Sequence, residues 1–255
     1  MSLDLGTVLL QWATGGLLFF WWTARRAVVG IGYGWLLRGV YGVMGVIALL
    51  LEARSDHSGA GHAIAMTGAV GLVVTTGIAL AISAARRADD SRAPLALDVL
   101  APAFGFIAMF GLAAVTGGAY WLAAVRLLSG ALFLGAVTDA MLLGHWYLVQ
   151  PGLSRAPLEE LVTLCLFVWP VEVIALCLPP GMIGVLSGSV DDGYGGLLGW
   201  MWLVSALLTI MLVYVTRLAL REQYYSAVMA ATGLLYLAIL TAFGTDVVAR
   251  ALLTP

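Results

Sequence analysis

The sequence predicts an all-α fold, a polytopic integral membrane helical bundle of about eight transmembrane helices with both termini extracytoplasmic. Three observations carry this. The 255-residue chain is 62% hydrophobic and only 10% charged, where a soluble domain holds about 25% charged residues. No soluble core absorbs so much apolar surface, so the bilayer solvates most of it. Apolar runs of about 20 residues, the length at which a helix crosses hydrocarbon, recur throughout. Arginines, finally, are unevenly shared between alternate connections.

The runs fall near 4–23, 36–53, 62–84, 95–116, 122–148, 158–179, 196–216 and 226–246, as one transmembrane domain over residues 1–255. The first follows Met1-Ser2-Leu3-Asp4, which lacks the positive n-region of a signal peptide, so it is expected to stay in the mature protein. The second is the least regular, because 27–37 is glycine-rich and interfacial in character and Arg38 stands at its start. Gly39, Gly42 and Gly45 in the second run, and Gly68, Gly71 and Gly77 in the third, are read as contacts where small residues let helices approach. The fourth opens beside Asp98 and the eighth closes beside Asp246, both expected at the membrane interface. The fifth is long enough to tilt or to project. The sixth carries Pro170, which predicts a kink or local unwinding over Leu166–Pro170. It also carries both cysteines, Cys165 and Cys177, about 18 Å apart in rise and unable to pair.

Orientation follows from the arginines. Connections after the first, third, fifth and seventh segments hold Arg25, Arg26, Arg38, Arg86, Arg87, Arg92, Arg155, Arg217 and Arg221; the other side holds Arg54, Arg126 and Arg250. Nine against three places the first group in the cytoplasm and both termini outside. That orientation gathers Trp146, Tyr147, Arg217, Arg221 and Tyr224 at the cytoplasmic headgroup level. An aromatic belt with snorkelling arginines accounts for such a ring in any polytopic protein. The functional alternative is a pocket between the fifth to eighth segments, lined by His145, Trp146, Tyr147, Arg217, Arg221 and Tyr224.

Composition excludes several classes. The net charge of −2 argues against a nucleic-acid partner. All twelve basic residues are arginine, so no lysine amine exists for a retinal Schiff base. Asparagine is absent as well; both missing residues use AA-type codons, and a GC-rich bacterial genome explains the pair. No phosphate loop is present, and Gly30-Ile31-Gly32-Tyr33-Gly34 fails the dinucleotide spacing. His57 and His62 stand near Asp56, but Gly59, Ala60 and Gly61 between the histidines fix no geometry. A solvated loop is expected there, and no metal site.

The residues singled out for chemistry are Asp139, His145 and Glu172. An ionisable group at membrane depth costs at least about 2.5–3.5 kcal/mol, so it is rarely idle. Six residues separate Asp139 from His145, a rise of about 9 Å and an offset near 120°, which puts them on different faces. Glu172 lies about 21 Å along the sixth segment from its start. Three titratable groups stepped across the membrane match a proton route; three unrelated interhelical hydrogen bonds would look the same. The cofactor is left open, with a quinone or bound lipid suiting the cytoplasmic-side pocket. Membrane lipid and other membrane or peripheral protein subunits are the expected partners, and a bacterial cytoplasmic membrane the expected location. The leading expectation is a subunit of an electron-transfer assembly that borders a quinone pocket or proton route. A small-solute or proton-coupled transporter and a structural scaffold subunit are the alternatives.

Overall fold

The computed structural model describes residues 4–86, 96–179 and 181–253. Among them the chain forms helices and no strand: α1 (Leu5–Ala24), α2 (Ile31–Glu52), α3 (Gly59–Ala85), α4 (Leu97–Val115), α5 (Tyr120–Val149), α6 (Ala156–Cys177), α7 (Met182–Leu186), α8 (Leu197–Ala219) and α9 (Tyr225–Leu253). All but the short α7 are long and apolar enough to cross a membrane, as a polytopic membrane protein requires. The irregular second segment is a full helix, because 31–35 joins it. Arg38 thereby sits about two turns inside α2, beyond the connection in which its charge was counted. Arg87 and Arg92, also part of the expected cytoplasmic charge, lie outside the described residues.

The helices gather into two compact units, one of Asp4–Gly135 with Gly152–Pro157, the other of Ala136–Pro151 and the chain from Leu158 onward. In the first, α1 packs on α2 and α4, and α3 packs on α2 and α4, so the four close into a ring. Apolar attraction between helices is weak in lipid, and close packing must supply the cohesion. Small residues do so here. A Cβ on Gly68 would fall 2.4 Å from the Ala108 nitrogen, and one on Gly111 would fall 2.3 Å from the Ala65 nitrogen. Of the glycines expected at contacts, Gly45 and Gly71 face Leu72 and Phe104, but Gly39 and Gly77 meet nothing within 4 Å. Those two are on outward faces, and the regular spacing alone did not distinguish them.

A buried polar network ties this unit together. Arg38 and Asp98 are 5% and 2% exposed and pair in a two-pronged fashion, Nε donating to Oδ1 at 2.7 Å and Nη2 to Oδ2 at 2.6 Å. Arg38 Nη1 also reaches Ser83 Oγ at 3.3 Å, and Trp35 Nε1 donates to the same oxygen at 3.1 Å. The guanidinium lies 4.8 Å from the Phe20 ring centre. All four helices of the ring thus contribute to it. Asp98 stands in the first turn of α4, where a carboxylate suits the helix dipole, and Arg38 supplies the opposite charge that lets it be buried in protein.

In the second unit α8 and α9 pack side by side, with α7 against both. Leu176, Met182, Val185, Trp202 and Ala249 form its apolar core. Thr209 Oγ1 donates to Thr241 Oγ1 at 2.8 Å across α8 and α9. Asp246 is fully buried in protein and accepts from Arg250 Nε at 2.8 Å one turn further on. Helix α6 runs unbroken through Pro170, so the expected unwinding is absent. One missing N–H is tolerated where neighbouring helices hold the segment, and Trp169 Nε1 donates to the Ala206 carbonyl of α8 at 2.9 Å. Cys165 and Cys177 are free thiols.

Two adjacent carboxylates organise the loop into α8, Asp191 accepting from the Gly193 N–H at 2.9 Å. Asp192 accepts from the N–H groups of Tyr194, Gly196 and Leu198 at 2.9, 2.8 and 2.9 Å. It satisfies donors that a helix N-terminus leaves open. Gly193, Gly195 and Gly196 take positive φ there (71°, 65° and 89°), where a side chain would be strained. The Gly196 N–H, then that of Tyr194, holds the Asp192 carboxyl below its ordinary pKa. A depressed folded-state pKa means that the stabilisation is present above the unfolded value, about 3.9, and is lost as pH falls through the folded one. Asp192→Ala is therefore expected to lower Tm at neutral pH. The gap from the native protein should close in acid, which melting curves across that range would check.

Candidate functional site

The chemistry-bearing residues of the second unit lie along α5 and α6, and their helix periodicity decides which face inward. On α6 the buried positions include Leu158, Leu161, Val162, Cys165, Glu172, Ala175 and Leu176, one stripe at helical spacing. Cys165 and Glu172 are two turns apart on that stripe, about 10 Å in rise. Asp139 of α5 acts electrostatically on the Cys165 thiol. Asp139 and Glu172 therefore address one side of α6 at two depths. Both are 0% exposed and both are engaged by contacts inside the protein. Glu172 faces protein and not lipid, as its charge demands.

His145 belongs to a different face. Six residues past Asp139, it is exposed, as the angular offset requires. Its Nδ1 lies 3.1 Å from the Tyr236 hydroxyl of α9, and the two rings meet edge to face at 85° with centres 6.2 Å apart. Gly144 makes this approach possible: a Cβ there would stand 2.9 Å from Thr232 Oγ1, one turn before Tyr236 on α9. Trp146 Nε1 donates to Gln150 Oε1 at 3.1 Å, closing the end of α5 on itself. Tyr147 is buried, and its phenol oxygen takes a hydrogen bond from the Leu158 backbone in the first turn of α6, near Glu159.

The expected lining is thus brought together only in part. Arg217, Arg221 and Tyr224 are exposed around the turn between α8 and α9. The residue that meets His145 is Tyr236, about 16 Å along α9 from its first residue, Tyr225. Sequence reasoning passed over Tyr236; its one signal was a phenol hydroxyl deep within an otherwise apolar run. Arg38, Ser83 and Asp98 were likewise missed as a group. Comparison of the chain with protein-family models, with curated proteins and with solved structures gives no match.

Proposed function

We propose that this chain is a multi-pass subunit of a respiratory-type electron-transfer assembly in a bacterial cytoplasmic membrane. In this reading it holds a quinone at His145 and Tyr236 and keeps exchangeable protons on Asp139 and Glu172. The observation that carries it is the His145–Tyr236 pair. Both side chains are open to the surroundings, on helices whose outward residues include Met229, Leu237 and Leu240. Hydrocarbon offers polar groups no partner, so an outward-facing pair of them calls for a polar visitor or a covering subunit. A quinone matches: its ring oxygens accept from a phenol O–H or an imidazole N–H, while its tail stays in lipid. Reduction to the quinol takes two electrons, which this reading assigns to a partner subunit, and two protons. Imidazole is the side chain suited to passing protons near neutral pH.

Proton-coupled transport is the second reading, favoured by two buried acids addressing one side of α6 at two depths. The experiment that separates these uses the full chain in lipid nanodiscs and a photoreactive short-chain benzoquinone. Loss of one hydrogen bond of about 1.4 kcal/mol is tenfold in affinity. His145→Ala and Tyr236→Phe are each expected to weaken labelling by about that factor, with Tm nearly unchanged. Asp139→Asn and Glu172→Gln should leave labelling intact. Labelling that ignores both His145→Ala and Tyr236→Phe overturns the quinone reading. If those variants fail only through lost assembly, the polar pair is an interhelical bond and the scaffold reading replaces it.

A further inference from the structure

The end of α2 remote from Arg38 holds a cluster that the quinone reading does not use. Glu52 is the last residue of α2, His57 lies in the following turn, and His62 stands one turn into α3. Folding brings the three together. His57 Nδ1 is 3.1 Å and His62 Nδ1 2.8 Å from Glu52 Oε1, and the three potential ligand atoms all lie within 4.8 Å of one another. The histidines are partly exposed and Glu52 is buried. Asp56, the acid that proximity in sequence suggested, is exposed. The glycines between the histidines left their geometry open, and the antiparallel packing of α2 on α3 closes it.

Glu52 needs a positive charge. It is a carboxylate out of water at the C-terminal end of a helix, where the dipole is also negative, and the last turn of α2 contains no basic residue. Two imidazoles reaching it through Nδ1 offer either hydrogen-bond donors or, once deprotonated there, two lone pairs beside an anionic oxygen. The second arrangement is a metal site. Tetrahedral bonds of about 2.0–2.1 Å to nitrogen and oxygen set ligand atoms about 3.3 Å apart; the two Nδ1···Oε1 separations here are 3.1 and 2.8 Å, and the ligand atoms all lie within 4.8 Å of one another. Two histidines and one glutamate form a three-ligand set that leaves a fourth position for solvent. Imidazole donors favour zinc and its late transition-metal neighbours over magnesium or calcium.

We propose that Glu52, His57 and His62 bind one divalent cation of the zinc class, which clamps the turn between α2 and α3. The chain has three histidines in all, so an untagged full-length preparation in detergent, stripped with chelator, has little competing imidazole. Titrated with Zn²⁺, it should take up one ion per chain and melt at a higher temperature. His57→Ala, His62→Ala and Glu52→Gln should each weaken uptake by at least about 10–100-fold, the loss produced by removing even an outer partner of a metal ligand. His145→Ala should retain full uptake. The double variant His57→Gln/His62→Gln keeps side-chain amide donors for Glu52. It should keep the metal-free Tm and lose the Zn²⁺-dependent shift. Two results overturn the proposal: no saturable uptake by the native chain, or uptake by the double glutamine variant equal to that of the native protein. Either would leave Glu52 as the acceptor of two histidine hydrogen bonds and nothing more.

Discussion

Asp98→Ala is expected to destabilise the first unit by about 3–5 kcal/mol, the usual cost of stranding one member of a buried ion pair. Arg38 would remain 5% exposed with its guanidinium still fixed by α2, and no other carboxylate is bonded to it among the described residues. Ser83 accepts from it but carries no charge. Arg38→Ala removes the guanidinium that donates to both Asp98 oxygens and should likewise lower Tm. The double variant Arg38→Met/Asp98→Leu removes both charges and fills the space with apolar atoms, a change that is often neutral or stabilising. It should recover most of the loss. Melting of the single and double variants in one detergent completes the cycle. A double variant no better than the singles would mean that the pair contributes through its fit with Ser83 and Phe20, beyond charge compensation.

Gly15→Leu should be comparably damaging, for a steric reason. A Cβ on Gly15 would stand 1.7 Å from the Ala131 carbonyl oxygen, and one on Gly135 would stand 2.2 Å from the Gly15 carbonyl carbon. Backbone meets backbone there, so no side chain can swing aside, and α1 and the first half of α5 must move apart. Overpacking ordinarily costs about 1–3 kcal/mol; Gly15→Ala should fall in that range and Gly15→Leu at or above its top. Gly39→Ala is the matched control. Its added Cβ meets nothing within 4 Å, and the better helix propensity of alanine should stabilise by up to about 1 kcal/mol. Equal losses at the two positions would show that helix propensity and lipid contacts, not the α1–α5 crossing, govern both.

The membrane class and the number of long helices were legible in the residues themselves, because both depend on local quantities. An apolar run of about 20 residues forms a helix in hydrocarbon whatever surrounds it, since its backbone can be satisfied in no other open form. The separation of Asp139 from His145 onto different faces was equally local, a matter of helical angle. The inward direction of Glu172 followed from the cost of its charge. Gly39, Gly42 and Gly45 mark the boundary of such reasoning: their spacing is regular, yet which of them touches a neighbour depends on how α2 is rotated in its ring.

Partner choice was decided by tertiary structure alone. Arg38 and Asp98 are 60 positions apart, His145 and Tyr236 are 91 apart, and each pair meets only where two particular helices pack at matching depth. Asp98 lies in the first turn of its helix, and a cation on another helix lets it be buried there; Asp246 is the local exception, its Arg250 standing one turn on in the same helix. Glu52 was unremarked at the end of an apolar run until the turn into α3 carried two imidazoles to it. In each case the residue's own position set the cost of its charge. Apart from Asp246, the group that offsets that cost came from helix register and rotation, which depend on contacts that no stretch of sequence contains by itself.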